Sequence, residues 1–286
     1  MLIVLRLLGY LPLGVLYAIG RGLYWLAFRV VRFRVDTVES NLAKAFPSLP
    51  PEERAALADR YLRNLTEVAM EVLKGFSISA AALRDRVRIE GLEGPRADLE
   101  AGRPVMLVTA HHCNWEWLLL GLSLELGYPV DAIYKPMKSA WAERALFWMR
   151  TRFGGRLTPA KLIVPRVIER RDELRAVAMV ADQVPASAPT KMWTKFLGLD
   201  TAFYLGAEEI ARAVRYPVYD VEMVRTARGR YRATVVRLGA PDDGLDAPRE
   251  LTRRYAARLE AHVRAHPADW FWSHDRWKLK KPLYAR

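Results

Sequence analysis

Val105-Met106-Leu107-Val108-Thr109-Ala110-His111-His112-Cys113-Asn114-Trp115-Glu116-Trp117 runs from an uninterrupted apolar segment into two histidines, a cysteine and a carboxylate. The short apolar run reads as a buried strand, and the residues beyond Asn114 read as a helix with that Asn as its N-cap. His111 and Glu116 cannot share one face of a continuous helix, because five steps of about 100° leave them roughly 140° apart. They can meet if the chain turns between them. A strand, a turn carrying His111 and a helix opening with Glu116 suit a general base and the carboxylate that fixes its tautomer. Other readings stay open on spacing alone. Glu116 can simply favour the positive end of a helix. His112 is a rival base, Cys113 a rival nucleophile, and His111, His112, Cys113 and Glu116 together a rival metal set.

Downstream, apolar segments and helical patterns alternate. Val130–Tyr134, Ala176–Ala181 and Lys191–Phe196 read as strands, and Val218–Arg225 with Tyr231–Arg237 as a hairpin around Ala227-Arg228-Gly229. Helices are expected over 52–74, 115–126, 140–153, 164–170, 207–214 and 248–266. This alternation predicts an α/β fold, a mixed central sheet flanked by helices. Groups just beyond the strands are then candidates for function. Lys135 follows one strand and Asp182-Gln183 another, while Arg150 and Arg152 precede Gly154-Gly155, where a cation could hold a phosphate. An ordinary turn and an ordinary basic helix end are the plainer readings of the last two.

The chain has 286 residues, 51% of them hydrophobic, so it can bury a full core, and its one cysteine excludes an internal disulfide framework. A net charge of +13 suits a polyanionic partner, and nine tryptophans favour a membrane surface over nucleic acid. From Leu7 to Phe28 the only charge is Arg21. As one helix this segment would be about 33 Å long, enough to span or lie in a bilayer. Arg29, Arg32 and Arg34 follow at once and would keep the rest of the chain cytoplasmic. The expected division is a membrane anchor over 1–34 and a catalytic domain over 35–286. A basic nucleic-acid-binding protein and a membrane-anchored metallohydrolase are the competing classes.

Six motifs in order resemble those of the bacterial lipid A biosynthesis (late, secondary) acyltransferases, membrane-bound relatives of the glycerolipid acyltransferases. These are the Asn41-to-Pro47 segment, His111 to Glu116 in the His-x4-Glu form, Tyr134-Lys135-Pro136, the Arg-rich stretch Arg150 to Gly154, Asp182-Gln183 with the later Phe196-Leu197-Gly198, and Trp272 to Lys278. Cys113 stands where that family often has Gly, and Lys135 where Arg is usual. The resemblance implies a glycerolipid-acyltransferase-like fold. It also implies transfer of an acyl chain from acyl carrier protein, or from coenzyme A, to a hydroxyl of a lipid A precursor. The acceptor could equally be another glycolipid, an aminolipid or an aryl-polyene pigment. His111 would be the base, Glu116 its orienting acid, and Asn114, Lys135, Arg150, Arg152, Asp182 and Gln183 would bind substrate. No metal, cofactor or nucleic acid is implied, and the enzyme would work on the cytoplasmic side of the inner membrane.

Overall fold

The computed structural model describes residues 2–185, 191–240 and 248–281. Nine strands are present among them: β1 (Val87–Glu90), β2 (Val105–Thr109), β3 (Val130–Tyr134), β4 (Arg156–Pro159), β5 (Ala176–Val180), β6 (Lys191–Phe196), β7 (Leu199–Tyr204), β8 (Val218–Ala227) and β9 (Arg230–Gly239). Seven form one sheet in the order β1-β9-β8-β2-β5-β3-β4, with β8 and β9 antiparallel and every other neighbouring pair parallel. β6 and β7 make a separate antiparallel hairpin.

β2 lies mid-sheet, which is why its sequence is apolar on both faces rather than alternating. Met106 and Val108 face one core layer with Val177 and Val218, and Val105 and Leu107 face the other with Val130 and Ala176. The first layer is covered by α3 (Val35–Ala45), the first half of α4 (Pro51–Gly75), α9 (Ile163–Glu169), α10 (Gly206–Val214) and α11 (Glu250–Ala265). The second is covered by α5 (Ala80–Arg86), α6 (Glu93–Glu100) and α7 (Trp115–Glu125). α8 (Ala140–Arg150) crosses between β3 and β4, and its Ala145 and Met149 pack on Phe76. The α/β sheet with flanking helices is the architecture expected from the sequence.

The N-terminus is a correction to that expectation. The apolar run forms two helices, α1 (Leu2–Tyr10) and α2 (Leu13–Tyr24), bent by 114° at Leu11-Pro12. Pro12 lacks the N–H that would continue α1, and it disfavours helical geometry at the residue before it. Beyond Tyr24 the helix loosens into a π-helical turn, Trp25–Val30. No single helix among the described residues is long and apolar enough to cross a membrane.

The bent pair wraps α4. Leu16, Tyr17 and Gly20 are the buried positions of α2. A side chain at Gly20 would meet Met70 Cγ at 2.9 Å, so the absence of one sets how closely α2 and α4 approach. At the bend the freed carbonyls of Gly9 and Leu11 accept hydrogen bonds from Lys74 Nζ at 3.0 and 3.1 Å. The outward surface remains apolar, with Ile3, Leu7, Ile19, Leu23, Trp25 and Phe33 among its exposed residues.

Candidate active site

β2 and β5 are parallel neighbours with Thr109 opposite Val180, and the Ala181 amide donates to Thr109 O at 2.9 Å. Two residues past these partners stand His111 and Asp182. The register alone therefore brings them together at the carboxyl edge of the sheet. Asp182 Oδ1 lies 2.7 Å from His111 Nδ1, and its Oδ2 accepts the His111 amide at 3.1 Å and the Trp270 indole N–H at 2.8 Å. A carboxylate partner makes Nδ1 the protonated nitrogen, which leaves the lone pair on Nε2. The Gln183 amide nitrogen approaches that Nε2 at 3.4 Å, and the His111 side chain keeps 20% exposure. Trp115 and Phe271 flank the imidazole at ring-centroid separations of 5.1 and 5.9 Å.

Burial pushes the Asp182 pKa up, but the charge and hydrogen bond of His111, the Trp270 N–H and the Arg276 charge outweigh it. The carboxyl is held below its ordinary 3.8. Arg276 is itself buried, lies over the Phe203 ring at 4.7 Å, and has no hydrogen-bond partner for any guanidinium nitrogen among the described residues. Burial lowers its pKa to about 10, against the pull of Asp182 and Tyr255. An unpaired buried cation next to the His–Asp pair favours the ionised form of Asp182.

Glu116 does not orient His111. Both of its oxygens are taken by Arg150, at 2.8 Å from Nε and 2.6 Å from Nη2. The reason is positional: Glu116 is in the first turn of α7, and that turn faces the end of α8 where Arg150 sits. The fork-to-carboxylate geometry is the strong bidentate form. Arg150 Nη1 has no hydrogen-bond partner among the described residues, so this pair can still offer a donor to an anion.

The remaining candidates divide. Gln183 reaches the His111 ring, and Lys135 is exposed just past β3, with no ion pair among the described residues. Asn114 is fully buried: its Oδ1 caps α7 through the Trp117 amide at 3.0 Å, and its Nδ2 donates to Glu71 at 2.9 Å. Arg152 points away to the end of α4, donating to the carbonyls of Gly75 and, at 2.9 Å, Ile78. Asn114 Oδ1 and the Arg152 guanidinium thus satisfy backbone groups at helix ends, and neither side chain reaches the His111 ring among the described residues.

The rival readings of the turn find no geometry. His112 is buried, with its nitrogens 3.1 Å from the carbonyl oxygens of Met223 and His266. Burial pushes the Cys113 thiol well above its ordinary pKa, so it is no thiolate nucleophile. Among the described residues no group of three or more His, Cys, Asp or Glu is placed to hold a metal. Two amides near the helix start are already committed, Cys113 N to Asp269 O and Trp117 N to Asn114.

The C-terminal segment completes the site, and sequence reasoning missed this. Phe271 N donates to His111 O at 3.0 Å, so the residues around Trp270 pair antiparallel with the turn. His274 Nε2 accepts the Val184 amide at 3.3 Å, and Asn41 Nδ2 donates to Trp272 O and His274 O at 2.8 Å. The signal available in sequence was the resemblance of Trp272 to Lys278 and of Asn41 to family motifs. Only the fold shows that Asn41 holds this segment while Trp270 beside it reaches Asp182.

Among the described residues no Ser, Thr or Cys hydrogen-bonds to His111 Nε2. The arrangement therefore suits removal of a proton from a group that a bound substrate brings, rather than activation of a nucleophile of the protein's own.

The chain matches the family model described as bacterial lipid A biosynthesis acyltransferase over residues 1–279. It is 27% identical over 158 residues to a protein of Haemophilus influenzae named lipid A biosynthesis acyltransferase, a stretch covering 54% of this chain and 48% of that protein. The chain thus spans about half the length of this curated relative.

Proposed function

Because the chain belongs to the bacterial lipid A biosynthesis acyltransferase family, we propose that it transfers a fatty acyl chain from an acyl-carrier-protein thioester to a hydroxyl of a lipid A precursor at the inner membrane. The observation that supports this reading is the His111–Asp182 pair, with Nδ1 bound at 2.7 Å, the Nε2 lone pair turned away from that carboxylate and the His111 side chain 20% exposed. His111 Nε2 takes the proton of the acceptor hydroxyl as its oxygen attacks the thioester carbonyl. The resulting imidazolium faces the ionised Asp182. When the tetrahedral intermediate collapses, the carbon–sulfur bond breaks and His111 returns the proton to the departing thiolate. An ester and a free thiol result, and the imidazole is regenerated with no cofactor consumed.

Glu116 and Arg150 have a different task in this scheme. Glu116 pins the guanidinium, and the remaining donor of Arg150 meets an acceptor phosphate or the carbonyl oxygen as it gains charge. Lys135, on the neighbouring loop, adds positive charge for the same phosphate or for the acidic carrier. In this reading the apolar outer faces of α1 and α2 hold the enzyme against the leaflet that contains its acceptor, and the basic flank of the segment supports a cytoplasmic orientation.

The test is acyl transfer from defined acyl-carrier-protein donors to a tetra-acylated lipid A precursor, run beside an aminolipid and a second glycolipid. Wild type should acylate the lipid A precursor fastest, and His111→Ala should abolish turnover in a protein that still folds, with some loss of thermal stability because Asp182 loses its partner. A fully active, folded His111→Ala protein ends the proposal. Preference for another acceptor keeps the chemistry and replaces the substrate.

A further inference from the structure

α2 and α4 part along one flank to leave a cavity of about 250 Å³, well away from the His111 turn in sequence and framed by Tyr17, Arg21, Tyr24, Arg63, Glu67 and Arg228. Its charge is predominantly positive. Arg228 pairs with Glu67 at 2.7 Å and lies over the Tyr17 ring at 4.0 Å. Arg63 pairs with Asp59 at 2.8 Å and lies over the Tyr24 ring at 5.2 Å. Glu67 is also held by Arg225 at 3.1 Å, so the carboxylate in the wall is shared between two guanidinium groups. The Arg21 side chain has no ion pair or hydrogen bond among the described residues. It is also the one charge between Leu7 and Phe28, and in an otherwise apolar helix it stands beside this cavity.

Three guanidinium groups around a hollow of this size match a phosphate, whose oxygens accept forked hydrogen bonds. The surroundings narrow the source. α2 exposes Val15, Ile19 and Leu23 on its outer face, at 44%, 46% and 46% exposure, and Trp25 follows at 61%. A phosphate in the cavity would sit beside side chains suited to acyl tails, and Tyr17 and Tyr24 supply the aromatic character of a headgroup region.

We propose that the cavity between α2 and α4 binds the phosphate of an anionic membrane phospholipid, as a site separate from the His111 centre. The site holds the bent helix pair in the plane of one leaflet, with α2 lying along the headgroups rather than through the bilayer. It does not depend on the acyl-transfer reading, because binding is measured without donor or acceptor.

The experiment is flotation of the full chain with vesicles of phosphatidylcholine alone, or with one-fifth phosphatidylglycerol. Three proteins are compared: wild type, Arg21→Gln/Arg228→Gln, and Arg253→Gln/Arg264→Gln, which removes equal charge from exposed positions of α11. The cavity variant should lose about tenfold or more in affinity for the anionic vesicles, and the α11 variant less than about twofold. Binding to phosphatidylcholine alone should be the same for all three. Equal losses in the two variants, or none in the first, would overturn the proposal in favour of general surface charge. Thermal melting with inorganic phosphate separates the remaining source: phosphate that stabilises wild type but not the cavity variant, with vesicle affinity unchanged, would assign the cavity to a free anion. Arg21→Gln alone removes no ion pair or side-chain hydrogen bond among the described residues and keeps the test valid if the double variant does not fold, with about a fivefold loss expected.

Discussion

Asp182 grips His111 at two points, the ring through Oδ1 at 2.7 Å and the backbone amide through Oδ2 at 3.1 Å. A single carboxylate thus fixes the tautomer and the position of the turn. Asp182→Asn keeps the shape but can present its N–H to the ring and select the wrong tautomer. The expected result is a fall in kcat of about 10³-fold or more, with KM changed little. The pH sign follows from the depressed carboxyl pKa. Its contribution to stability is present above the ordinary value of 3.8 and is lost as pH falls through the lower folded value. Acid melting curves should show the variant losing this limb, whereas a purely structural role would leave kcat at wild-type level near neutral pH.

Glu116 and Arg150 form a nearly buried bidentate pair, with side-chain exposures of 8% and 19%. Removing either partner leaves the other charge poorly solvated, so Glu116→Ala or Arg150→Ala should each cost about 3 kcal/mol of unfolding free energy. The double variant should cost clearly less than the sum, with a coupling of about 1–3 kcal/mol. Denaturant unfolding of the four proteins measures this. Additive losses would mean that the two side chains do not act as a unit.

Asn114 and Glu71 link the His111 turn to the N-terminal helices. Glu71 is fully buried and accepts from Asn114 Nδ2 at 2.9 Å, Tyr17 Oη at 2.9 Å and Tyr231 Oη at 2.5 Å. Asn114→Ala removes the α7 cap and one of these donors, for an expected loss of about 1–2 kcal/mol. Asn114→Asp retains a capping oxygen but sets a second carboxylate against Glu71, and should be the worse of the two. Thermal melting ranks them, and the opposite order would show that capping outweighs the contact with Glu71.

What was legible in the sequence was whatever is local. The apolar run of β2, the Asn114 cap and the 3.6-residue pattern of α4 each declare themselves within one element. The His111–Asp182 pair does not, because 71 residues separate the partners and only the placement of β5 beside β2 joins them. Spacing suggested the nearer carboxylate, Glu116, whose true partner Arg150 lies 34 residues on. β7 was hidden for a different reason. Leu197 and Gly198 both take positive φ, +53° and +81°, in the two-residue turn between β6 and β7. Such turns are normally announced by Asn-Gly, and a Leu in the first position masks the hairpin. β4 is a short edge strand ending in Pro159, which reads as a loop. In the N-terminal segment hydropathy was plain, and Pro12 marks where the helix breaks, but the size of the bend, 114°, is set by packing on α4.

Cys113 explains its own departure from the family pattern. It has φ +52°, a left-handed conformation that a side chain occupies only at a cost, and this is the position where the resemblance expects Gly. The amide is held by Asp269 O at 2.8 Å, and Sγ sits 3.3 Å from both His112 Nδ1 and Met223 O. Cys113→Gly relieves about 1 kcal/mol of backbone strain but gives up those contacts and gains chain entropy in the unfolded state, so the net change should stay within about 1 kcal/mol. Activity should be kept. Cys113→Val cannot relax in the same way, because a β-branched side chain is strongly disfavoured at positive φ. It should lose about 2–3 kcal/mol and, by shifting the turn, most of the turnover. Melting and steady-state kinetics on the two variants decide the matter. If Val is tolerated as well as Gly, the turn is not held at positive φ and the geometry of His111 does not depend on it.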